Sequence, residues 1–445
     1  MQIARFSKIG FIMAATGSAV GLGNIWKFPY QAGKYGGGAF VLVYLITVLV
    51  VGFSIMLTEM LIGYLGRSDT FSNFEKLAPR HKAKWRYAGM QAFSSILIMA
   101  FYAVVIAWVL NYIVTSFSLL PSSVAQAKST FSGMLQSGFF VQFFYLTVTF
   151  VIVTAVIARG IKGGIEKLNL VLMPLLFLII GGMFLYATTF SAFSHAVTFM
   201  FRPDFTKLTT TAFVTAVGHA FFTLSLGMGA IMTYSASLQK GQSLVKSSLL
   251  IIFFDTLVAI LAGLMLFTFL YQYGGKPSAG PGLVFISLPV IFYQMGGVGN
   301  FLSIIFFIAL AFAAITSAVS LVEPTVQYFM DRNGWKRTKA SVIIGLFFYI
   351  FGIVVIMSQT IHFSSYLTWG GRNLFSWLDY LTAALLLPLG GLVMSIFVGF
   401  IMPKSQVEKV LRPELGFLFN AWYFNIRYIA PILLMVVIVS LLSAQ

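Results

Sequence analysis

Long apolar stretches recur along the whole chain, and each is longer and more uniformly apolar than the half-buried helices of a soluble domain. Eleven are read, over 8–30, 39–65, 88–119, 138–158, 166–187, 211–237, 246–272, 299–330, 340–359, 374–402 and 416–442. About 20 apolar residues of helix cross the ~30 Å hydrocarbon layer. Backbone surrounded by lipid has to satisfy its own hydrogen bonds, which favours helix. The pattern therefore predicts an all-α polytopic membrane protein with 11 transmembrane helices. Composition removes the alternatives. Only 9% of the 445 residues are charged and 59% are hydrophobic, against about a quarter charged in soluble domains. The 16% aromatic share excludes a disordered chain. With no cysteine there is no disulfide and no thiolate site. His81, His195, His219 and His362 lack metal-ligand spacing.

The net charge of +17 would fit a nucleic-acid partner if it were clustered. Instead it alternates between connections. With a cytoplasmic N-terminus, 20 of the 28 bases fall in inner segments and seven in outer ones, while Arg427 lies inside the last span. Such a bias sets orientation. It predicts a multi-pass protein of the cell (inner) membrane, partnered by the lipid bilayer and not by nucleic acid, with its C-terminus outside. The first stretch has the basic start of a signal peptide, but its length, its glycines and the ten spans that follow favour a retained helix. No linker divides residues 1–445, so they read as one membrane domain. Segment 280–294 is too short to span and is expected as a short helix over the outer mouth.

Two spans look internally broken. The first contains Thr16-Gly17-Ser18-Ala19-Val20-Gly21-Leu22-Gly23-Asn24, and the sixth contains Gly218-His219 and Thr223-Leu224-Ser225-Leu226-Gly227-Met228-Gly229. Gly17-x-x-x-Gly21 alone would also serve helix packing. Both breaks, however, open a set of five spans. Five is odd, so the second set inserts upside down relative to the first. Interrupted spans in matching positions point to a transport site between inverted repeats. Unwound carbonyls and hydroxyls suit a hard cation, and half-helix N-termini suit a carboxylate.

These residues resemble the neurotransmitter:sodium symporter family of sodium-coupled amino-acid and amine transporters. Gly17-Ser18-Ala19-Val20-Gly21-Leu22-Gly23-Asn24-Ile25-Trp26-Lys27-Phe28-Pro29-Tyr30 is similar to its first-span signature. So are Lys34 to Phe40 after it, Phe222 to Gly227 in the sixth span and Ala313-Ala314-Ile315-Thr316-Ser317 in the eighth. The resemblance covers nearly the whole chain. It implies a LeuT-like fold of two inverted five-helix repeats, 8–187 and 211–402, plus one additional helix at 416–442.

Residue by residue, the resemblance implies two Na⁺ sites. The first would use Ala19, Asn24, Thr223 and Asp255 with the substrate carboxylate. The second would use Gly17, Val20, Ala313, Thr316 and Ser317. The substrate carboxylate would meet Leu22, Gly23 and Tyr102, and its ammonium Ala19, Phe222 and Ser225. Its side chain would lie among Ile98, Tyr102, Phe222, Met228, Ser317 and Leu321. Lys27 and Asp379 would close the outer gate over Phe222. Lys27 stands where the family more often has Arg, which makes the contact a point charge instead of a fork. Arg5 and Gln2 stand where the family usually has Trp and Arg, so the inner-gate partners are left unassigned.

Charge inside the membrane is costly and usually functional. Of 11 acids, four are read within spans: Glu59, Asp255, Glu323 and Asp379. Glu59 and Glu323 are expected as packed, hydrogen-bonded structural acids. Asp255 matches a family position that is usually Asn. Ala259, one turn on, matches a position that is Ser in chloride-dependent members. Asp255 is therefore expected to supply the negative charge that chloride brings elsewhere. Gly164 and Pro174 weaken the cytoplasmic end of the fifth span, which is expected to unwind and release the second sodium inward. His219 is expected as a satisfied core histidine.

The expectation is a sodium-coupled symporter working by alternating access. It would import a neutral, apolar or aromatic L-amino acid without chloride, as a monomer or weak dimer. Alternatives are a sodium-coupled amine or osmolyte carrier, or a cation channel. No nucleophile, base or metal set converges, so an enzyme is not expected.

Overall fold

Apolarity on every side builds long buried helices, and glycine with small polar residues decides where they stop. The computed structural model describes residues 5–275 and 282–443. Gln2, Lys276 and the start of the 280–294 segment lie outside them. In chain order the helices are α1 Lys8–Ala19, α2 Gly23–Lys34, α3 Gly38–Gly66, α4 Thr70–Leu77, α5 Lys82–Thr115 and α6 Val124–Ser137. There follow α7 Phe139–Ala158, α8 Ile161–Ala187, α9 Phe193–Phe201, α10 Thr210–Thr223, α11 Ala230–Ala236 and α12 Leu244–Gln272. The remainder are α13 Leu283–Gln294, α14 Gly297–Asn333, α15 Arg337–Met357, α16 Leu374–Ile401, α17 Lys404–Leu415 and α18 Leu418–Ser440. A two-residue antiparallel pair, β1 Thr368–Trp369 and β2 Arg372–Asn373, precedes α16.

Nine of the described helices are long and apolar enough to span, and α1 with α2, bent by 45°, makes a tenth. The sixth span, expected as broken over 211–237, is in two pieces. α10 has 14 residues and α11 has seven, so neither spans by itself. Between them Ser225, Gly227 and Gly229 take positive φ of 54°, 81° and 79°. That conformation ends a helix and is costly for a residue with a Cβ.

Burial separates centre from rim. The apolar windows of α5 and α14 are 83% and 78% buried, whereas those of α7, α8 and α18 reach only 33%, 28% and 33%. α5 and α14 pack along each other, with α1 and α8 against α14. The rim helices present apolar side chains outward, as lipid requires. α13 is more buried than a helix lying loosely over a mouth would be. Its Phe285 is 1% exposed, stacks on Phe131 at 5.2 Å, and its carbonyl accepts from the Tyr112 hydroxyl at 3.0 Å.

Candidate functional site

α1 ends because Val20 turns extended, at φ −72° and ψ 100°. The chain re-enters helix at Gly23. Asn24 reaches back across the gap, where its Oδ1 accepts the Gly21 N–H at 3.0 Å. The Leu22 N–H donates to the Tyr102 hydroxyl at 3.3 Å. A methyl on Gly21 would stand 2.6 Å from Ser317 Oγ and 3.0 Å from the Tyr102 oxygen. Glycine is required there because α5 and α14 close on the break.

The second break is held by a buried acid. Glu59 of α3 is fully buried and accepts the Gly227 N–H at 3.2 Å and the Met232 N–H at 3.3 Å. Its carboxylate thus caps the start of α11, where free N–H groups favour negative charge. The expectation of a hydrogen-bonded structural acid describes Glu59 well. Glu323 is likewise buried, bonded to Arg337 Nη2 at 2.5 Å.

The two breaks face each other. Ser225 Oγ donates to the Ser18 carbonyl at 2.7 Å. Ser317 Oγ lies 3.1 Å from the Gly17 and Ser18 carbonyls and 3.4 Å from that of Val20. One hydroxyl proton cannot satisfy three carbonyls, so lone pairs are left over. Thr316 Oγ1 sits 3.0 Å from the Ala313 carbonyl, and a Cβ on Gly17 would stand 3.1 Å from Thr316 Cβ. Gly17, Val20, Ala313, Thr316 and Ser317 are therefore gathered at one place. Two further oxygens nearby, Thr16 Oγ1 and Asn169 Oδ1, are buried without a partner.

A second oxygen cluster centres on Asp255 of α12, which is fully buried. Its Oδ1 accepts from Asn24 Nδ2 at 2.8 Å and Thr223 Oγ1 at 3.1 Å, and Tyr44 O–H approaches Oδ2 at 3.5 Å. Ala19 and Thr223 line the cavity between the breaks. All ten residues expected around the substrate line that same cavity: Ala19, Leu22, Gly23, Ile98, Tyr102, Phe222, Ser225, Met228, Ser317 and Leu321. It measures about 20 Å³, room for roughly one water. Anything larger enters only if the helices move apart.

On the outer side Lys27 Nζ bonds Asp379 Oδ1 at 3.0 Å and rests 4.2 Å from the centre of the Phe222 ring. Lys27 thus touches both other residues expected at the gate. All three line a space of about 110 Å³ that also reaches Trp26, Phe375 and, from the central cavity, Leu22, Gly23 and Tyr102. His219 stands apart from its expectation. It is buried beside Phe28 and Tyr44 at ring distances of 6.0 and 5.5 Å, yet neither nitrogen has a hydrogen-bond partner.

The inner side shows what sequence reasoning missed. Glu166, at the first turn of α8, is 5% exposed and is a fifth acid to add to the four read within spans. It accepts the Ser7 hydroxyl at 2.5 Å and faces the Ser7 N–H at 3.3 Å. Phe6 is fully buried against Tyr234 at 5.4 Å. Its N–H donates to the Ser237 carbonyl at 3.3 Å, and its carbonyl accepts from Gln239 Nε2 at 2.9 Å. Arg5 is exposed. A buried aromatic side chain therefore stands one residue past the position where the family usually has Trp. α8 begins with a π-helical stretch over Ile161–Glu166 that contains Gly164, and Pro174 lies inside the helix. Between the two stands Asn169, whose Oδ1 a Cβ on Gly17 would strike.

Comparison with known proteins gives one answer. The family model of the sodium:neurotransmitter symporter family matches residues 4–132 and 127–445. The sodium-dependent transporter YhdH of Bacillus subtilis is 35% identical over 444 residues, covering 98% of this chain and 97% of that protein. Sodium-dependent nutrient amino acid transporter 1 of Drosophila grimshawi is 25% identical over 83% of this chain and 65% of its own length. A crystal structure of MhsT in complex with L-phenylalanine superposes with a TM-score of 0.90 at 36% identity, covering 98% of this chain and 99% of that one. That likeness gives the chain the LeuT-like architecture. The chain belongs to the sodium:neurotransmitter symporter family.

Proposed function

We propose that this protein imports a neutral L-amino acid with an apolar or aromatic side chain, drawn by two sodium ions and without chloride. One observation carries the reading. The two helix breaks enclose a cavity lined by all ten residues expected around the substrate, with the Asp255 cluster and the Gly17–Ser317 cluster beside it. The Leu22 amide, paired with the Tyr102 hydroxyl, and the Gly23 amide suit a carboxylate, and carbonyls at Ala19, Phe222 and Ser225 suit an ammonium. Ile98, Met228 and Leu321 offer apolar surface and no counter-charge to a side chain. Met228 adapts its shape readily. The two relatives named for amino acids, one holding L-phenylalanine, favour the same class.

The first sodium is held by Ala19, Asn24, Thr223 and Asp255 and touches the substrate carboxylate, so the two bind cooperatively and reciprocally. The second is held by Gly17, Val20, Ala313, Thr316 and Ser317. Each ion moved inward across 100 mV supplies about 2.3 kcal/mol, and each tenfold concentration gradient about 1.4 kcal/mol more. Asp255 places a fixed negative charge at the first ion, which makes a bound anion unnecessary. Asn169 touches Gly17 from within the Gly164–Pro174 stretch, so loosening of that stretch opens the second ion to the cytoplasm. The repeats run 8–187 and 211–402, with 416–442 added, the N-terminus in the cytoplasm and the C-terminus outside. The working unit is a monomer or weak dimer.

The test is equilibrium binding of radiolabelled L-phenylalanine, L-leucine and tyramine to the purified protein, with sodium and chloride varied separately. The reading expects binding of at least one of the two amino acids that needs sodium and ignores chloride. Sodium-dependent binding of tyramine alone would favour an amine carrier.

A further inference from the structure

Arg427 lies nine residues into α18 and takes no part in the transport site. Its Nε–H is buried with no acceptor, and among the described residues no carboxylate lies within ion-pair distance of it. The guanidinium is held by rings instead. It sits 4.8 Å from the centre of Phe400 and 5.5 Å from that of Tyr428. Those rings meet edge-on at 6.0 Å. Both face outward, Phe400 of α16 48% exposed and Tyr428 of the little-buried α18 43% exposed.

A second cation converges on the same place. Lys404 opens α17 just past the end of α16 and holds its Nζ 5.3 Å from the centre of the Tyr423 ring. Arg427 approaches the same Tyr423, whose hydroxyl donates to the Gly399 carbonyl at 3.2 Å. Phe400 is the last residue but one of α16, so the guanidinium reaches back to the level where that span ends. Long basic side chains extend this way toward a membrane surface. Two cations thus bracket a tyrosine at the edge of the apolar layer, with no acid between them and exposed aromatic rings on the lipid side.

We propose that Lys404 and Arg427 bind the phosphate of an anionic membrane lipid, whose acyl chains lie along Phe400 and Tyr428. A guanidinium matches phosphate geometry and tolerates partial burial against rings. The rings make the outer wall apolar, which selects a phosphate carrying chains over a free one.

The experiment is native mass spectrometry of the full-length protein. It is released from membranes containing equal phosphatidylglycerol and phosphatidylcholine, with inorganic phosphate added in a separate arm. One base near a membrane surface is worth about fivefold in preference for anionic lipid. The wild type should retain phosphatidylglycerol in preference, Arg427→Gln and Lys404→Gln should each lose about fivefold of that preference, and inorganic phosphate should not displace the lipid. Equal retention of both lipids, unchanged retention in both variants, or displacement by inorganic phosphate would overturn the proposal. So would loss of a protein dimer in Arg427→Gln at unchanged lipid retention, which would make the counter-charge a second copy. Lys404 lies outside the spans, so its variant keeps the test open should Arg427→Gln fail to fold.

Discussion

Ser7 donates its hydroxyl to Glu166 at 2.5 Å, tying the start of α1 to the first turn of α8. At the opposite end Lys27 holds Asp379 at 3.0 Å. Contacts on both sides therefore fasten the helices around the cavity of about 20 Å³. The inner tie is the tighter, because its acid is buried and receives the Ser7 N–H as well. Hydrogen bonds to charged groups contribute about 1.5–3 kcal/mol. Ser7→Ala should shift the protein toward inward-open forms by roughly tenfold or more. With no native cysteine, a single cysteine at Ser237 reports this directly. Its alkylation from the cytoplasmic side should speed up in the variant, and an unchanged rate would remove Ser7 from the inner closure.

The outer pair is weaker. Lys27 and Asp379 are 21% and 40% exposed, and a partly exposed pair contributes at most about 1 kcal/mol. Asp379→Asn should therefore raise outward opening only severalfold. Lys27→Arg, able to form a fork with Asp379, should lower it. Accessibility of a cysteine at Ala383 is the readout.

Gly21 allows no side chain, since a methyl there would crowd Ser317 and Tyr102. Gly21→Ala should reduce sodium-dependent substrate binding at least about tenfold, the effect of an overpacking cost above ~1.4 kcal/mol. Its melting temperature without ligand should change little. Equal losses in binding and in fold stability would show a packing role only.

Asp255 accepts from Asn24 and Thr223 and faces the Tyr44 hydroxyl. Asp255→Asn should weaken the apparent sodium affinity by one to two orders of magnitude, in line with losing about 1.4–3 kcal/mol at a buried charge. Wild-type uptake should be the same in chloride and gluconate. A chloride requirement in the wild type would defeat the assigned role of Asp255.

Pro174→Ala restores a backbone donor in the middle of α8 and stiffens the stretch beside Asn169. Turnover should slow while equilibrium sodium binding stays unchanged. Gly164→Ala is the harsher test, because its methyl would strike the Val156 carbonyl.

Much of this was legible in the sequence for a physical reason. Glycine, serine, threonine and asparagine packed into an apolar run announce a helix that cannot stay wound, and both breaks were read from that. The residues of the site followed from the family resemblance, and the fold brings the ten expected around the substrate to one cavity. What stayed hidden depends on contacts between residues far apart in the chain. Ser7 and Glu166 are 159 positions apart, and each sits at the polar end of a span, where a charge looks like an ordinary flank. Phe6 looked like one more apolar residue near the start. The sixth span was visible as broken, but not how short its second piece is, seven residues in α11.

Uptake into proteoliposomes measures the coupling of amino-acid transport to sodium most directly. Liposomes carrying the purified protein, given an inward sodium gradient and an inside-negative potential, should accumulate a neutral L-amino acid above its outside concentration, equally in chloride and gluconate. Collapse of the sodium gradient should abolish the accumulation. No accumulation of any amino acid under that gradient, or saturation-free sodium current without uptake, would contradict the account.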